Sequence, residues 1–351
     1  MGIALTRKHL AIWVGVMVSV GALVLAFWGI DFSSLKAHLA TANWAITAVL
    51  LLVYWLHFVV RAKRWQILLR PIRTVGFKKA FGPMLVGFFG NNVLPAHMGE
   101  FARMYVGAKK FAMTNAQVLA TLVVERVMDF AAVAVLFGIG LGLAPIATEG
   151  LASLGYAITV AAIAGMALIG IYVRYQNRSR GFIAKLVQPL PEHLGEWLMR
   201  NVDAFGEGLG ATANTWQLVR MSLQSLLIWL LVTVAIHLSL LAVGMRLPFD
   251  ASLLLLGATV FAVTLPAAPG FFGTFQLAYV LALKPYGIDN ESAVAASIVF
   301  HLPVYFSVTF VGMLIVGRLG MSWHAVKHEA EEIEESGVTK IIGNAEGRPV
   351  K

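Results

Sequence analysis

The chain has 351 residues, of which 59% are hydrophobic and 13% charged, with a net charge of +9 and no cysteine. Several apolar runs reach the roughly 20 residues that cross a bilayer, which excludes an ordinary soluble domain. Without cysteine there is no disulfide, thiol nucleophile or Cys-based metal site, and the positive balance bears first on membrane topology, because cytoplasmic loops collect Lys and Arg.

The first apolar run, residues 10–30, follows Arg7 and Lys8 but has no A-x-A-like cleavage site, so it reads as a retained anchor. Further spans are expected at 43–60, 114–143, 151–173, 222–243 and 291–317. Two runs, "AFGPMLVGFFGNNVLP" at 80–95 and "ASLLLLGATVFAVTLPAAP" at 251–269, are short or interrupted by Gly and Pro, and each leads into a second semi-apolar stretch. Loop charge decides how they run. Arg61, Lys63, Arg64, Arg70, Arg73, Lys78 and Lys79 place the loop after the second span in the cytoplasm, as do Arg174, Arg178, Arg180 and Lys185 after the span ending at Val173. An even number of crossings must separate these loops, and the spans at 114–143 and 151–173 supply it. Residues 80–110 are therefore expected to form a re-entrant hairpin that enters and leaves on the cytoplasmic face and turns near Pro95. The same count makes 251–285 a hairpin dipping in from outside, and leaves both termini cytoplasmic.

The two irregular stretches echo each other. With Gly99 set against Gly273, "LPAHMGEF", Asn115 and "LVVERVMD" match "LPAAPGFFGTF", Asn290 and "SIVFHLPV" with one insertion. The expected fold is an all-α polytopic membrane protein with about six full spans plus two re-entrant helical hairpins arranged as inverted repeats, an architecture suited to alternating access. Repeat 1 covers about 43–143 and repeat 2 about 222–317, within one transmembrane domain of residues 1–321. General recurrence of Gly and Pro in membrane helices is the alternative explanation. Between the repeats, Leu194, Trp197, Leu198, Val202, Phe205 and Leu209 fall at helical spacing, marking 182–220 as an amphipathic cytoplasmic segment. Residues 322–351 read as a polar, solvated cytoplasmic tail that starts as a short helix.

Glu125, Arg126 and Asp129 sit in the middle of the 114–143 span. Three such charges oppose insertion by very roughly 8 to 10 kcal/mol, so they must be paired or face water. Arg126 and Asp129 are i, i+3 neighbours and Glu125 and Asp129 share a face at i, i+4. One arginine neutralises one carboxylate; the other needs a partner elsewhere, a proton or a cationic ligand. The nearest candidates are Asn91, Asn92, Glu100 and Arg103 of the first hairpin, whose end leaves backbone groups to be capped inside the bilayer. His301, matching Arg126 in the second repeat, can protonate or bind an anion, whereas His57 and His237 are read as packing residues. Arg61, Arg64 and Trp65 are expected to contact lipid at the membrane surface. A closed network that only holds helices together is the alternative for the charged set. No H-E-x-x-H, G-x-S-x-G or Walker A pattern appears, so the chain reads as a non-enzyme with no catalytic residue, metal or cofactor.

"GNNVLPAHMGEFARMYV", "VVERVMD" and "LPAAPGFFGTFQ" together resemble the lysylphosphatidylglycerol synthase transmembrane-region family, over about residues 8–320. In the bifunctional multiple peptide resistance factor such a region moves an aminoacylated phospholipid between leaflets while a separate soluble domain makes it, and this sequence has no segment for that synthase domain. The resemblance implies handling of a polar lipid, with Glu100, Arg103, Glu125, Arg126 and Asp129 on motif positions. The second repeat departs from the pattern at Gln276 and His301, where the family commonly carries charge.

The expected function is thus translocation of a polar, anionic lipid across the bacterial inner membrane. Arg103 and Arg126 would hold the head group while Glu100, Glu125 and Asp129 counterbalance them or accept protons. Candidate cargoes are aminoacylated or other phospholipids, polyprenyl-phosphate carriers and hopanoid-type lipids. The expected partners are membrane lipids and a lipid-synthesising enzyme, not nucleic acid. Two alternatives stay open, an accessory protein of envelope-lipid synthesis and an intramembrane lipid transferase using Glu125 or Asp129 as base.

Overall fold

The apolar runs fold as helices. In a computed structural model of the chain, no strand occurs among the described residues, which are 2–94, 98–144, 153, 155–165, 215–265, 267–320, 322–332 and scattered positions between 175 and 199. The helices are α1 (Gly2–Phe27), α2 (Phe32–Ala40), α3 (Trp44–Leu69), α4 (Phe77–Val93), α5 (Gly99–Phe111) and α6 (Asn115–Leu143), then α7 (Gly155–Gly165). They continue with α8 (Thr215–Ala242), α9 (Phe249–Thr264), α10 (Thr274–Leu283) and α11 (Asn290–Arg318), and α12 at 323–332. Polar side chains start several of them by accepting orphan backbone N–H groups. Asn43 accepts from Ala45 and Ile46, and Thr114 forms a capping box with Gln117 at the head of α6.

Among the described residues three helices, α3, α8 and α11, are long and apolar enough to cross a membrane by length and composition, or four if the bent pair α1 and α2 is one span. α6 has the same 29 residues as α11, about 44 Å at 1.5 Å per residue, but carries Glu125, Arg126 and Asp129. The expected 10–30 span ends earlier, because α1 stops at Phe27 and the chain bends by 87° into α2, through Gly29 at φ 72°. α3 runs nine residues past the expected end at 60, since Trp65, Ile67, Leu68 and Leu69 continue its apolar pattern. The turn near Pro95 and most of the amphipathic segment 182–220 lie outside the described residues, as do residues 166–173 of the 151–173 span.

The order long helix, short pair, long helix occurs twice. α3 to α6 have 26, 17, 13 and 29 residues; α8 to α11 have 28, 16, 10 and 29. Packing repeats as well. α3 and α8 lie antiparallel, tied at one end by the Asn43 N–H donating to the Ala242 carbonyl at 2.7 Å and near the other by Arg64 donating to Ser225 at 2.6 Å. α4 packs antiparallel on α11, Asn92 meeting Thr309 and Gly82 meeting Leu319. α9 reciprocally packs antiparallel on α6, where Gly140 backs onto Leu253 and Gly257 onto Phe137.

Small residues let the paired helices approach closely. A methyl group on Gly90 would lie 2.6 Å from the Gly99 Cα, and one on Gly87 2.8 Å from the Arg103 Cβ, so α4 and α5 are in backbone contact as a helical hairpin. α5 ends at Ala112, which is left-handed at φ 52° and hands its N–H to the Ala108 carbonyl. Glycine suits that position better. Ala112→Gly is expected to raise folding stability by about 1 kcal/mol, read as a higher thermal midpoint of the purified protein; a lower midpoint would show that the left-handed turn is not strained. α12 is the short helix expected at the start of the tail, and one stripe of it is buried. Val326 and Ala330 are fully buried against Val86, Ala102 and Val106, and Trp323 meets Phe89 edge-on at 4.6 Å, because the apolar positions of this segment recur on one helical face.

Candidate functional site

α6 presents Glu125 and Asp129 one turn apart, and cations from two other helices meet them. From α5, Arg103 donates in parallel to both oxygens of Glu125 at 2.8 and 3.0 Å, a bidentate, charge-assisted pair. Its guanidinium lies 3.9 Å from the ring centroid of Trp65, and the Trp65 indole N–H donates to the Thr121 hydroxyl at 3.0 Å. From α3, Arg61 and Arg64, i and i+3 on one face, donate to the two oxygens of Asp129 at 2.7 and 2.6 Å. Phe88 and Trp229 stand about the Arg61 guanidinium at 5.5 and 5.6 Å. These five charged side chains are each no more than 4% exposed.

Arg126 differs. It is 36% exposed and reaches Glu125 at 3.1 Å, Glu100 at 3.4 Å and Asp129 at 3.8 Å. Glu100, in the first turn of α5, is itself 29% exposed. Arg126 with Glu100 is therefore the open edge of an otherwise closed network.

The structure corrects two expected placements. Arg61, Arg64 and Trp65 are buried, not at the membrane surface, because α3 continues to Leu69 and turns them toward the acids of α6. Arg103 is enclosed with Glu125 rather than open to a head group. Asp129, expected to pair with Arg126, finds its short contacts on α3. Ser225, Thr121 and Trp229 join the site with no sequence signal of their own.

A cavity of about 500 Å³ lies beside this network, between α3, α4, α6, α8, α9 and α11, within the ~300–1,000 Å³ typical of small-molecule sites. Its lining combines a polar pole, made by Arg61, Asn91, Asn92, Glu100, Arg126 and Asp129, with an apolar wall of residues such as Val232, Leu256, Val260 and Val304. Asn92 is engaged with Thr309 at 2.9 Å. The seam between α4 and α11 is thereby laced, whereas Phe130 on α6 lines the cavity and is 56% exposed.

His301 lines the same cavity from the second repeat. Gln276 accepts the Gly273 N–H at 2.8 Å, which turns its amide nitrogen toward His301 Nδ1 at 3.2 Å. Nδ1 accepts there, leaving the ring proton on Nε2. Phe275 stacks on the ring at 4.6 Å and Phe272 tilts against it at 4.9 Å. The cation expected at this place in the repeat is thus replaced by a neutral, aromatic-walled donor. His57 contacts the Tyr54 carbonyl and His237 the Ser252 hydroxyl, both as packing contacts. Among the described residues no three acidic, His or Cys side chains are grouped to hold a metal ion.

Comparison with known proteins adds three relatives. The chain is 28% identical over 346 aligned residues to glycosyltransferase AglD of Haloferax volcanii, an alignment covering 87% of this chain but spanning only about half, 54%, of that relative. It is 24% identical to a UPF0104 membrane protein of Methanothermobacter thermautotrophicus, over 78% of this chain and 83% of the relative. A third, a UPF0104 membrane protein of Methanocaldococcus jannaschii, is 25% identical over 84% of this chain and 91% of its own length. Residues 12–312 match the family described as lysylphosphatidylglycerol synthase TM region, and the protein belongs to that family.

Proposed function

We propose that the protein moves a polar lipid with an anionic head group between the leaflets of the bacterial cytoplasmic membrane. The cavity carries this reading, because its charged pole and apolar wall stand side by side in one space, as a head group and the start of its chains require. Chains can remain in lipid while the head crosses, so a groove suffices. The antiparallel arrangement of α3 with α8 and the reciprocal packing of α4 on α11 and α9 on α6 support inverted repeats. In that arrangement α4 with α5, and α9 with α10, are re-entrant hairpins from opposite faces, and α6 and the 151–173 segment complete six full spans. Loop charge supports cytoplasmic termini. The protein acts without chemistry of its own, and a lipid-synthesising enzyme supplies its cargo.

The test follows fluorescent phospholipids and a polyprenyl-phosphate analogue between leaflets of proteoliposomes, with and without a proton gradient. Wild type is expected to move at least one of them, and Arg126→Ala, at matched folded protein, to slow it by tenfold or more. No movement under either condition overturns the reading. A transferase is the second reading, favoured by the similarity to the haloarchaeal glycosyltransferase AglD. It requires a chemically altered lipid in cells carrying the gene that disappears in Glu125→Gln or Asp129→Asn.

A further inference from the structure

The charge balance of the network names the head group, an inference that rests on the lipid reading above. Four guanidinium groups, those of Arg61, Arg64, Arg103 and Arg126, meet three carboxylates, those of Glu100, Glu125 and Asp129. One positive charge is left over. In a largely buried setting such a surplus is far more costly than in water, and a single negative charge in the cavity completes the set. The geometry locates the surplus. Arg103 is committed to Glu125 by two bonds, and Arg61 and Arg64 divide Asp129 between them. Arg126 shares Glu125 with Arg103 through one bond of 3.1 Å, reaches Glu100 and Asp129 only at 3.4 and 3.8 Å, and stands at the cavity wall.

Unpartnered polar atoms supply a second, independent observation. Five residues that line the cavity each bury a side-chain atom without a hydrogen-bond partner: Arg61 Nε, Arg126 Nε and Trp229 Nε1, which donate, and Asn91 Oδ1 and Glu100 Oε2, which accept. Buried polar atoms are normally satisfied. The donors suit phosphate oxygens, and the acceptors need N–H or O–H groups from the same ligand.

We propose that the polar pole is selective for a phosphodiester lipid of net charge −1 whose head carries hydroxyl groups, Arg126 taking the phosphate and Asn91 and Glu100 the hydroxyls. A zwitterionic head leaves the surplus charge uncompensated. An aminoacylated head of net positive charge adds to it. The apolar wall selects the lipid over the free diester, since it gives a soluble ligand nothing to bury.

The experiment uses the full chain in phosphatidylcholine vesicles containing trace acyl-chain-labelled phosphatidylglycerol, phosphatidylethanolamine or lysylphosphatidylglycerol. Phosphatidylglycerol is expected to cross about tenfold faster than the other two, equivalent to about 1.4 kcal/mol. Arg126→Gln, which removes the surplus, should bring the rates of phosphatidylglycerol and phosphatidylethanolamine together. Glu100→Gln, which raises the surplus to two, should widen the gap between phosphatidylglycerol and lysylphosphatidylglycerol. Equal wild-type rates, or ratios that neither variant moves, overturn the head-group assignment and leave the lipid reading standing. No crossing of any lipid removes both. Excess soluble glycerophosphoglycerol is expected to slow phosphatidylglycerol only slightly; a complete block would assign the site to a free diester instead.

Discussion

Asp129→Ala is expected to destabilise the protein by about 3 to 5 kcal/mol, because it strands two buried arginines at once. Arg61 and Arg64 lose contacts of 2.7 and 2.6 Å, and their next acid, Glu125, stands at 3.5 and 3.8 Å and is already held by Arg103. Arg64 is wholly buried and cannot turn to water, and Arg61, 3% exposed, has only the cavity to turn to. The check is the thermal midpoint of purified protein in detergent, together with yield from the membrane fraction. Asp129→Asn keeps an oxygen for one arginine and should fall between the two. A midpoint equal to wild type in Asp129→Ala would mean that water reaches the arginines and that this part of the network is wet.

The second large effect concerns Arg103 and Glu125. Arg103→Met alone leaves Glu125 with Arg126 and the longer contacts to α3, and Glu125→Leu alone leaves a buried guanidinium over Trp65 with no acceptor. Each is expected to cost about 3 to 5 kcal/mol, whereas replacing both with apolar groups of similar volume should recover most of that loss. The refolded double variant then separates glue from function. Glu125 also holds Arg126 at 3.1 Å, so on the lipid reading the double variant folds but moves lipid several-fold more slowly, through a misplaced Arg126. Wild-type transport in that variant would make the pair purely structural and favour the accessory-protein alternative for this half of the network.

Much of the helical order was legible because apolar length and Gly/Pro interruption are sequence signals. The two irregular stretches at 80–95 and 251–269 announced short, interrupted helices, and the match of Gly99 to Gly273 accompanies a repeated order of elements. Side-chain destinations were less legible. Arg61 and Arg64 follow an apolar run and precede four more basic residues, so loop charge drew them to the surface; the run of Trp65, Ile67, Leu68 and Leu69 beyond them was the signal that the helix had not ended. Three charges within "VVERVMD" demanded partners, and Arg103, 22 residues before Glu125, was among the candidates, but the arginines that hold Asp129 lie 65 and 68 residues away and no local pattern encodes that packing. Ser225 and Thr121 are ordinary residues until a guanidinium or an indole arrives beside them. The Val326 and Ala330 spacing in the tail is a helical stripe, obscured by the acidic residues around it.

The glycine contacts between α4 and α5 constrain how this region can move. Gly87, Gly90 and Gly99 bring the two backbones so close that neither helix can slide without driving Cα and Cβ atoms into each other. The pair is therefore one stiff unit, and it is also tied at its sides: Arg103 holds Glu125 of α6 by two bonds and Asn92 holds Thr309 of α11. Glu100 lies three residues before Arg103 on α5, so the buried pair beside it sets the gap between Glu100 and Arg126.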